Sequence, residues 1–180
     1  MQWLLDASDG ELLIRTGVTG PAARLGHRLT IAMTRWHAAV TWHDGEPDTA
    51  ELVVETDSLE VLAGEGGVKG LSGPEKAIVR SNALRSLNAR RFPEIRFAAD
   101  AVEKIAEGYR LAGTLQIHGK SKRHVIDLHT EDLGDSWRMS AQFGVRQSDY
   151  GVKPYSLLMG SLQVADDVAL SFTAVHAGDD

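Results

Sequence analysis

The sequence predicts an all-β protein with one short helix, arranged as an antiparallel sandwich or barrel. Two observations predict this fold class. Apolar residues recur with a period of two in about nine segments. Clusters of Gly, Asp and Asn separate these segments at fairly regular spacing, as in antiparallel all-β domains. Parallel βαβ units would need a helical pattern between successive strands, and only one segment of this chain has helical character.

The strand candidates carry their apolar residues on one face. The clearest example runs from Trp36 to His43, where every second residue is large or apolar and His37 falls on the other face. The inward-facing members of the other candidates are Leu12, Ile14 and Thr16; Leu29, Ile31 and Met33; Leu52, Val54 and Thr56; Ile95, Phe97 and Ala99; Tyr109, Leu111, Gly113, Leu115 and Ile117; Ile126 and Leu128; Trp137, Met139, Ala141 and Phe143; and Val168, Leu170, Phe172 and Ala174. The inward parity changes between Met33 and Trp36, which predicts a bulge or break there.

One segment predicts a helix. The residues from Ser72 to Glu75 have the serine cap and early proline of a helix start, and the helical pattern continues from Lys76 to Ala89. Leu84 lies off the apolar side of this helix. At 100° per residue, that side comprises Ile78, Val79, Ala83 and Leu87.

Length and composition fit one globular domain. The chain has 180 residues, of which 43% are hydrophobic and 24% charged, as is typical of globular proteins. A chain of this size buries roughly 70% of its unfolded surface, so one core stabilises it without disulfides or a structural metal. We expect a single domain over residues 1–176 and a short C-terminal tail, 177–180.

Cysteine content and charge narrow the range of functions. The chain has no Cys, which excludes thiol catalysis, Cys-ligated zinc, iron–sulfur clusters and disulfides. Lys and Arg total 19 against 25 Asp and Glu. The resulting net charge of −6 disfavours binding to phosphate backbones, so we expect no nucleic-acid partner.

The first residues lack the features of an export signal. The segment Met1–Asp6 contains no basic residue, and its apolar run ends at Asp6, well short of a signal-peptide core. No segment approaches the roughly 18 uninterrupted apolar residues of a transmembrane helix. These patterns predict a cytoplasmic protein.

Charge is unevenly distributed along the chain. Residues 44–65 contain eight acidic residues and no basic one, whereas residues 69–96 contain seven basic and two acidic residues. The simpler interpretation of the basic stretch is a solvated helix face and its flanking loop. The alternative is a patch including Arg85, Arg90 and Arg91 that meets an anionic head group or makes transient contact with a membrane surface.

No local motif supports catalysis or metal binding. The segment from His118 to Ser121 lacks the spacing of a phosphate-binding loop and predicts a hairpin turn. This hairpin could place His118 opposite His124, with His129 as a third ligand, but no carboxylates stand at ligand spacing. We therefore predict no metal site, no catalytic residue and no cofactor.

The inward-facing side chains allow two interiors. A barrel of about eight strands either fills with side chains or holds one small ligand. The pattern alone favours a filled core, because many inward members are aromatic. Small residues on the same face, namely Ala38, Gly113, Ala141 and Ala174, leave room for a hollow.

Three stretches carry a recognisable combination of motifs. They are Arg91–Phe97 (Arg-Phe-Pro-Glu-Ile-Arg-Phe), Tyr109–Lys122, which ends in Ile-His-Gly-Lys-Ser-Lys, and Arg146–Gly151 (Arg-Gln-Ser-Asp-Tyr-Gly). Together they resemble the YceI-like family of lipocalin-like, polyisoprenoid-binding proteins. The resemblance covers roughly the whole chain, with Val164–Ala174 as the closing strand. Its motifs lie largely in turns and at strand ends, so they identify the fold better than the ligand.

The resemblance implies an antiparallel, eight-stranded, lipocalin-like β-barrel with a helix at its side. It also implies an apolar channel for an isoprenoid chain, such as that of a quinone or polyprenyl lipid. The candidate lumen residues are Trp36, Val40, Trp42, Val54, Phe97, Leu111, Leu115, Met139, Phe143 and Leu170. The candidates for head-group contact at the mouth are His27, Arg85 and Arg91.

We therefore predict non-enzymatic binding of an isoprenoid or other long-chain amphiphilic lipid, for storage, transport or sensing, by a monomer or homodimer. Burial of hydrocarbon contributes about 0.8 kcal/mol per CH₂, so a few isoprene units suffice for tight binding. Two alternatives stay open. One is a hydrolase or isomerase that acts on a small apolar substrate with a histidine base. The other is a structural or stress-related interaction domain with a solid core.

Overall fold

The computed structural model describes residues 1–178. Residues 179 and 180, which belong to the expected tail 177–180, lie outside the described residues, and Ala177 is the last residue of the final strand. The strands are β1 (Gln2–Asp6), β2 (Gly10–Thr19), β3 (His27–Met33), β4 (Trp36–His43), β5 (Glu46–Glu55), β6 (Leu59–Gly66), β7 (Glu94–Ile105), β8 (Gly108–Ile117), β9 (Lys120–Asp132), β10 (Ser136–Arg146), β11 (Ser156–Leu157) and β12 (Leu162–Ala177), and the helix is α1 (Gly73–Ser86).

The strands form one antiparallel sheet that curls into a barrel. Its order is β1-β4-β5-β7-β8-β9-β10-β12-β2-β3-β6, with β11 paired to β12. The sheet closes on itself because β3 continues into β4 after only Thr34 and Arg35, and β5 continues into β6 after the 3₁₀ turn Thr56–Ser58. The predicted all-β barrel class is confirmed.

The sheet has twelve strands rather than the expected eight. The difference arises because two long strands are each interrupted, giving β3 with β4 and β5 with β6, and because β1 and β11 add short pairings. Counted once each, the interrupted strands and the six remaining long ones give eight positions around the ring. Sequence reasoning missed β1, β6 and β11, which are short or interrupted by Gly and charged residues.

The predicted break between Met33 and Trp36 is confirmed. Backbone hydrogen bonds hold it on both sides: Thr34 N donates to Ser58 O at 3.2 Å, and Glu55 N donates to Arg35 O at 3.0 Å. Arg35 also forms ion pairs with Glu55 and Asp57, at 2.5 and 2.8 Å. The break therefore bends a long hairpin while hydrogen bonds and ion pairs still join its two sides.

The predicted helix is present, but it ends at Ser86 rather than Ala89. Ser72 and Glu75 form a capping box in which each side chain accepts the other's backbone N–H. The predicted apolar side is wrong at one position, since Ile78 is 61% exposed. The reason is tertiary: Arg80 donates hydrogen bonds to Leu59 O and Asp57 O, which orients the helix so that Leu84 packs on the core.

Because neighbouring strands are antiparallel, the turns alternate between two ends of the barrel. The closed end carries the turns at residues 7–9, 44–45, 106–107 and 133–135. The open end carries the connections at residues 20–26, 67–72, 87–93, 118–119, 147–155 and 158–161. Helix α1 lies against β6, on the side towards the open end.

The closed end is packed with rings. We call Trp3, Trp36, Trp42, Phe172 and His176 the closed-end cluster. The ring centroid of Trp3 lies 4.7 Å from that of Trp42 and 4.4 Å from that of His176. Trp36 contacts Phe172 edge to face at 5.3 Å and is 4% exposed. These rings fill this half of the interior in the tilted and edge-to-face arrangements that aromatic pairs favour.

The three motif stretches meet at one corner of the open end. The ring of His118 lies 4.9 Å from that of Phe92, and His118 Nδ1 lies 3.3 Å from Tyr150 O. Since the partner is a carbonyl, Nδ1 is the donor in this hydrogen bond. His118 and Gly119 form the tight β8–β9 turn, both with positive φ. These contacts therefore hold the three stretches together at this corner, and each stretch also contributes residues to the interior of the barrel.

The last motif also seals the barrel wall. Strand β9 pairs with β10 only over His129–Asp132, so the two strands separate towards the open end. The 3₁₀ turn Gln147–Tyr150 fills this gap, and a bulge in β12 holds it there: Gln147 Nε2 donates to Ala165 O at 3.0 Å, and Ser148 N donates to Asp166 Oδ1 at 2.8 Å. Tyr150 is thereby buried inside.

Candidate functional site

The open half of the barrel contains a cavity of about 480 Å³. This volume lies within the range of about 300–1,000 Å³ that is typical of small-molecule sites. Along β2, alternate residues from Leu12 to Val18 line it, which corresponds to roughly 20 Å of strand. The wall is almost wholly apolar, and its strand residues include Leu29, Ile31, Met33, Leu52, Val54, Ile95, Phe97, Leu115, Ile126, Phe143, Val145, Val168 and Leu170.

Helix α1 supplies another part of the wall. Val79, Asn82, Ala83 and Ser86 of the helix, and Leu87 directly after it, face the cavity. Their spacing of three and four residues places them on one side of the helix. No residue of α1 is fully buried, so the helix contributes a thin wall rather than a packed core layer.

The lining holds no ionised carboxylate, ammonium or guanidinium group in the part of the chain that the structure describes. Two of its polar groups are already engaged, because Thr16 Oγ1 accepts from Leu29 N at 3.1 Å and Gln147 donates to Ala165 O. Burial raises the pKa of the Tyr150 phenol above its usual value, an effect to which the nearby Asp149 charge adds. The cavity therefore suits the uncharged part of a molecule.

Five polar side chains in the lining make no hydrogen bond within residues 1–178. They are Asn82 and Ser86 on α1, Tyr150 in the 3₁₀ turn, Tyr155 before β11 and Gln163 at the start of β12. Sequence reasoning missed Asn82, Tyr155 and Gln163, because neither their spacing nor their residue type distinguishes them from surface polar residues. These three are available to orient a polar group of a bound molecule.

The structure places five of the ten predicted lumen residues in the cavity wall: Val54, Phe97, Leu115, Phe143 and Leu170. The other five do not line it. Trp36 and Trp42 belong to the closed-end cluster, and Val40 pairs with Trp3 beside it. Leu111 and Met139 are buried in the two core clusters. All ten have the predicted inward parity, but half lie too far towards the closed end.

Of the predicted mouth residues, only His27 lines the cavity. Its Nε2 donates to Lys69 O at 2.7 Å, which ties the connection 67–72 to the start of β3. A side chain at Gly67 would stand 2.9 Å from this ring, so the contact needs glycine there. Arg85 and Arg91 are exposed and lie outside the cavity wall, and Arg91 stacks 5.3 Å over the Phe92 ring.

The remaining histidines do not come together. His118 lies in the β8–β9 turn, whereas His124 pairs with Gly113, so the hairpin does not place the two opposite each other. Residues 1–178 contain no group of three or more His, Asp or Glu residues arranged to hold a metal ion. Within the same residues, no helix is long and apolar enough to cross a membrane.

A sequence model of the YceI-like domain matches residues 11–176. The chain belongs to the YceI-like family. No curated protein sequence matches it. The family assignment agrees with the three motif stretches, which the structure brings together at the open-end corner.

Two solved structures have the same fold. The crystal structure of BcnA from Burkholderia cenocepacia aligns with a TM-score of 0.73 and 15% identity, over 96% of this chain and 99% of BcnA. The Campylobacter jejuni YCEI protein aligns with a TM-score of 0.62 and 17% identity, over 83% of this chain and 85% of that protein. A mutant of the latter, described with a monobromobimane guest, aligns equally well.

Proposed function

We propose that this YceI-like protein is a non-enzymatic binding protein whose cavity takes the apolar part of an isoprenoid or other long-chain amphiphilic lipid. The observation that carries the proposal is the cavity of about 480 Å³ with its nearly continuous apolar wall. A hollow of this kind in water is costly unless apolar matter fills it, and hydrocarbon gains about 0.8 kcal/mol per CH₂ on entering. Storage, transport and sensing all require this binding step.

The polar groups of the lining support an amphiphilic ligand. Asn82, Tyr155 and Gln163 contact the cavity, and their side chains can fix a neutral head group such as a quinone ring. A charged head group would gain no partner among the lining residues of the described chain and would stay outside the mouth. The proposed partner is therefore a hydrophobic small molecule or lipid, bound by a monomer or homodimer.

The cavity contradicts the alternative of a wholly solid core, since only the closed half is filled. The alternative of a hydrolase or isomerase gains no support from the lining. His27 is the histidine that reaches the cavity, and its Nε2 is engaged by Lys69 O. No acidic partner lines the wall within residues 1–178, so a general acid–base pair is not assembled there. The cytoplasmic location expected from the sequence stays a prediction.

The direct experiment is organic extraction of the purified protein followed by mass spectrometry. We expect a reproducible isoprenoid or other long-chain lipid in a fixed ratio to protein. A sample that carries no such lipid, and that also fails to take up an added quinone or polyprenol, would contradict the proposal.

A matched pair of variants locates the binding. Val168→Trp adds an indole inside the cavity, whereas Ala169→Trp adds the same group at the next position of β12, which is exposed. We expect Val168→Trp to reduce binding of a long-chain fluorescent fatty-acid probe at least ten-fold and Ala169→Trp to leave it unchanged. Far-ultraviolet circular dichroism checks that both variants are folded. Equal binding by two folded variants would place the lipid elsewhere.

A further inference from the structure

We propose that the open end of the barrel docks on an anionic membrane surface, so that lipid passes directly between the bilayer and the cavity. The proposal rests on the proposed function and adds a partner surface to it. The occupant is a bilayer containing anionic lipid. Three independent features carry the proposal: an apolar rim, its continuity with the cavity, and a difference in charge between the two ends.

Five large apolar side chains are exposed at the open end. We call them the mouth rim: Leu25, Val68, Leu157, Leu158 and Met159. Val68 and Met159 are 90% and 106% exposed, and each of the others is about half exposed. Soluble proteins rarely gather such side chains at one place without a partner.

These rim residues are neighbours in the fold. The connection containing Leu25 is joined to the β11–β12 turn by a hydrogen bond from Ala22 N to Ser161 O at 2.8 Å. Val68 lies next to Lys69, whose carbonyl accepts from His27 beside Gly26. The rim therefore surrounds one opening.

The rim is continuous with the cavity. Leu25 and Leu157 are about half exposed and also line the cavity wall. A hydrocarbon chain that leaves a bilayer at this rim would therefore pass from lipid to protein without crossing a polar band. This continuity distinguishes the rim from scattered surface leucines, which need no explanation.

The β11–β12 turn holds its apolar residues outward in an unusual conformation. Leu158 and Met159 have φ values of 52° and 56°, in the left-handed region that residues with a side chain rarely adopt. Glycine follows only at position 160. Such backbone strain concentrates at functional sites, and here it presents two large apolar side chains to the surroundings of the mouth.

Charge complementarity identifies the surface. Each of the four closed-end turns contains one acidic residue and no Lys or Arg, namely Asp9, Asp44, Glu107 and Asp135. The open-end connections contain five basic residues, Arg24, Lys69, Arg90, Arg91 and Lys153, against Asp149 alone. None of the five forms an ion pair within residues 1–178.

In a chain with a net charge of −6, this separation turns the mouth towards an anionic surface and the closed end away from it. Basic residues near an anionic leaflet each raise the partition coefficient by roughly five-fold at moderate salt. A neutral bilayer or an acidic protein surface satisfies only one of the two features, because the rim requires hydrocarbon and the basic residues require negative charge.

The test is vesicle co-sedimentation of the full chain with phosphatidylcholine vesicles, with and without one-third phosphatidylglycerol. We expect binding to the anionic vesicles that weakens at high salt. The double variant Leu158→Ser, Met159→Ser should lose at least ten-fold in partition coefficient. Leu133→Ser is its matched control, because Leu133 is an exposed leucine in a closed-end turn.

The outcomes separate docking from lipid binding. The rim variant should still bind the fluorescent fatty acid in vesicle-free solution, and the cavity variant Val168→Trp should still bind vesicles. Absence of vesicle binding by the wild-type chain would overturn docking and leave the proposed function intact. Vesicle binding without any uptake of lipid would instead overturn the proposed function. Equal loss of vesicle binding in Leu133→Ser and in the rim variant would overturn the assignment to the mouth.

Discussion

The two halves of this barrel share one strand pattern, but one half is packed and the other is hollow. In the closed half, inward residues such as Trp36 and Phe172 meet in the middle and exclude a ligand. In the open half, inward residues of the same strands, such as Val168 and Leu170 on β12, face a cavity of about 480 Å³. Period-two alternation therefore establishes which face of a strand is inside, but not whether the inside is full.

The difference comes from the additional elements that pack against each half of the strand barrel. The closed half receives β1, which places the Trp3 ring between those of Trp42 and His176. The open half receives α1 and the 3₁₀ turn Gln147–Tyr150, which cover its sides without filling its centre. The packed interior and the proposed binding cavity thus lie in separate parts of one core, and mutations should reveal the division.

The largest effect is expected from Trp36→Ala. Loss of a buried tryptophan of the closed-end cluster should lower the free energy of unfolding by about 3–5 kcal/mol. Urea denaturation measures it. The affinity of the remaining folded protein for a fatty-acid probe should change little, because Trp36 does not line the cavity. A large loss of affinity in folded protein would mean that the two halves are not separate.

A leucine pair compares the halves directly. Leu5→Ala, at a residue 4% exposed in the closed half, should cost about 3–4 kcal/mol, whereas Leu170→Ala should cost about 2 kcal/mol. Leu170 already faces empty space on one side, so fewer van der Waals contacts are lost there. The same urea measurement on both variants provides the comparison, and equal costs would indicate a filled open half.

A substitution in helix α1 should lower the free energy of unfolding less than the core substitutions do. Ser72→Ala removes one half of the capping box and should lower stability by about 1 kcal/mol. Amide hydrogen exchange should show faster opening of α1 than of β10 or β12, because no residue of α1 is fully buried. Protection of α1 equal to that of the closed-end strands would contradict the view that the helix is a thin wall.

The smallest effect is a pH dependence at His124. Its ring packs on Phe143 of the cavity wall at 5.6 Å, and burial lowers the pKa of this imidazole below its ordinary value of 6.5. The unfolded chain therefore binds the proton more readily than the folded chain. Stability from this group is full above the ordinary value and is lost as the pH falls from there through the lower, folded-state pKa.

His124→Gln should remove part of this dependence. The urea midpoints of the wild-type chain and the variant are measured at pH about 7.5 and about 5.5. The difference in midpoint between the two proteins should change between these pH values. The wild-type chain should lose more stability on acidification than the variant does. Parallel losses in both would assign the pH dependence to other groups.

Much of the fold could be predicted from the sequence. Alternation in the strands, the break after Met33 and the helix start at Ser72 all follow from local patterns, and all are present. The motif residues Phe92, His118 and Tyr150 indicated the family because their contacts with one another depend on the fold. Residues whose contacts are tied to the fold in this way can be recognised as a family motif in the sequence.

The cavity was only half predictable. All ten proposed lumen residues have inward parity, yet Trp36 and four others lie outside the cavity wall. Parity is a property of one strand, whereas position along the barrel axis depends on register between strands. Asn82, Tyr155 and Gln163 were missed because their place in the lining depends on how α1 and the open-end connections pack.

The sequence by itself determined the strand and helix pattern, the inward faces and the absence of cysteine chemistry. The tertiary structure alone decided that one half of the barrel is hollow, that Arg80 turns α1 so that Leu84 faces the core, and that the connections with basic residues lie at the open end. The physical reason is that the two kinds of interaction act over different distances along the chain. Backbone preferences act between near neighbours in the chain, whereas the filling of an interior is settled by side chains that meet from distant segments.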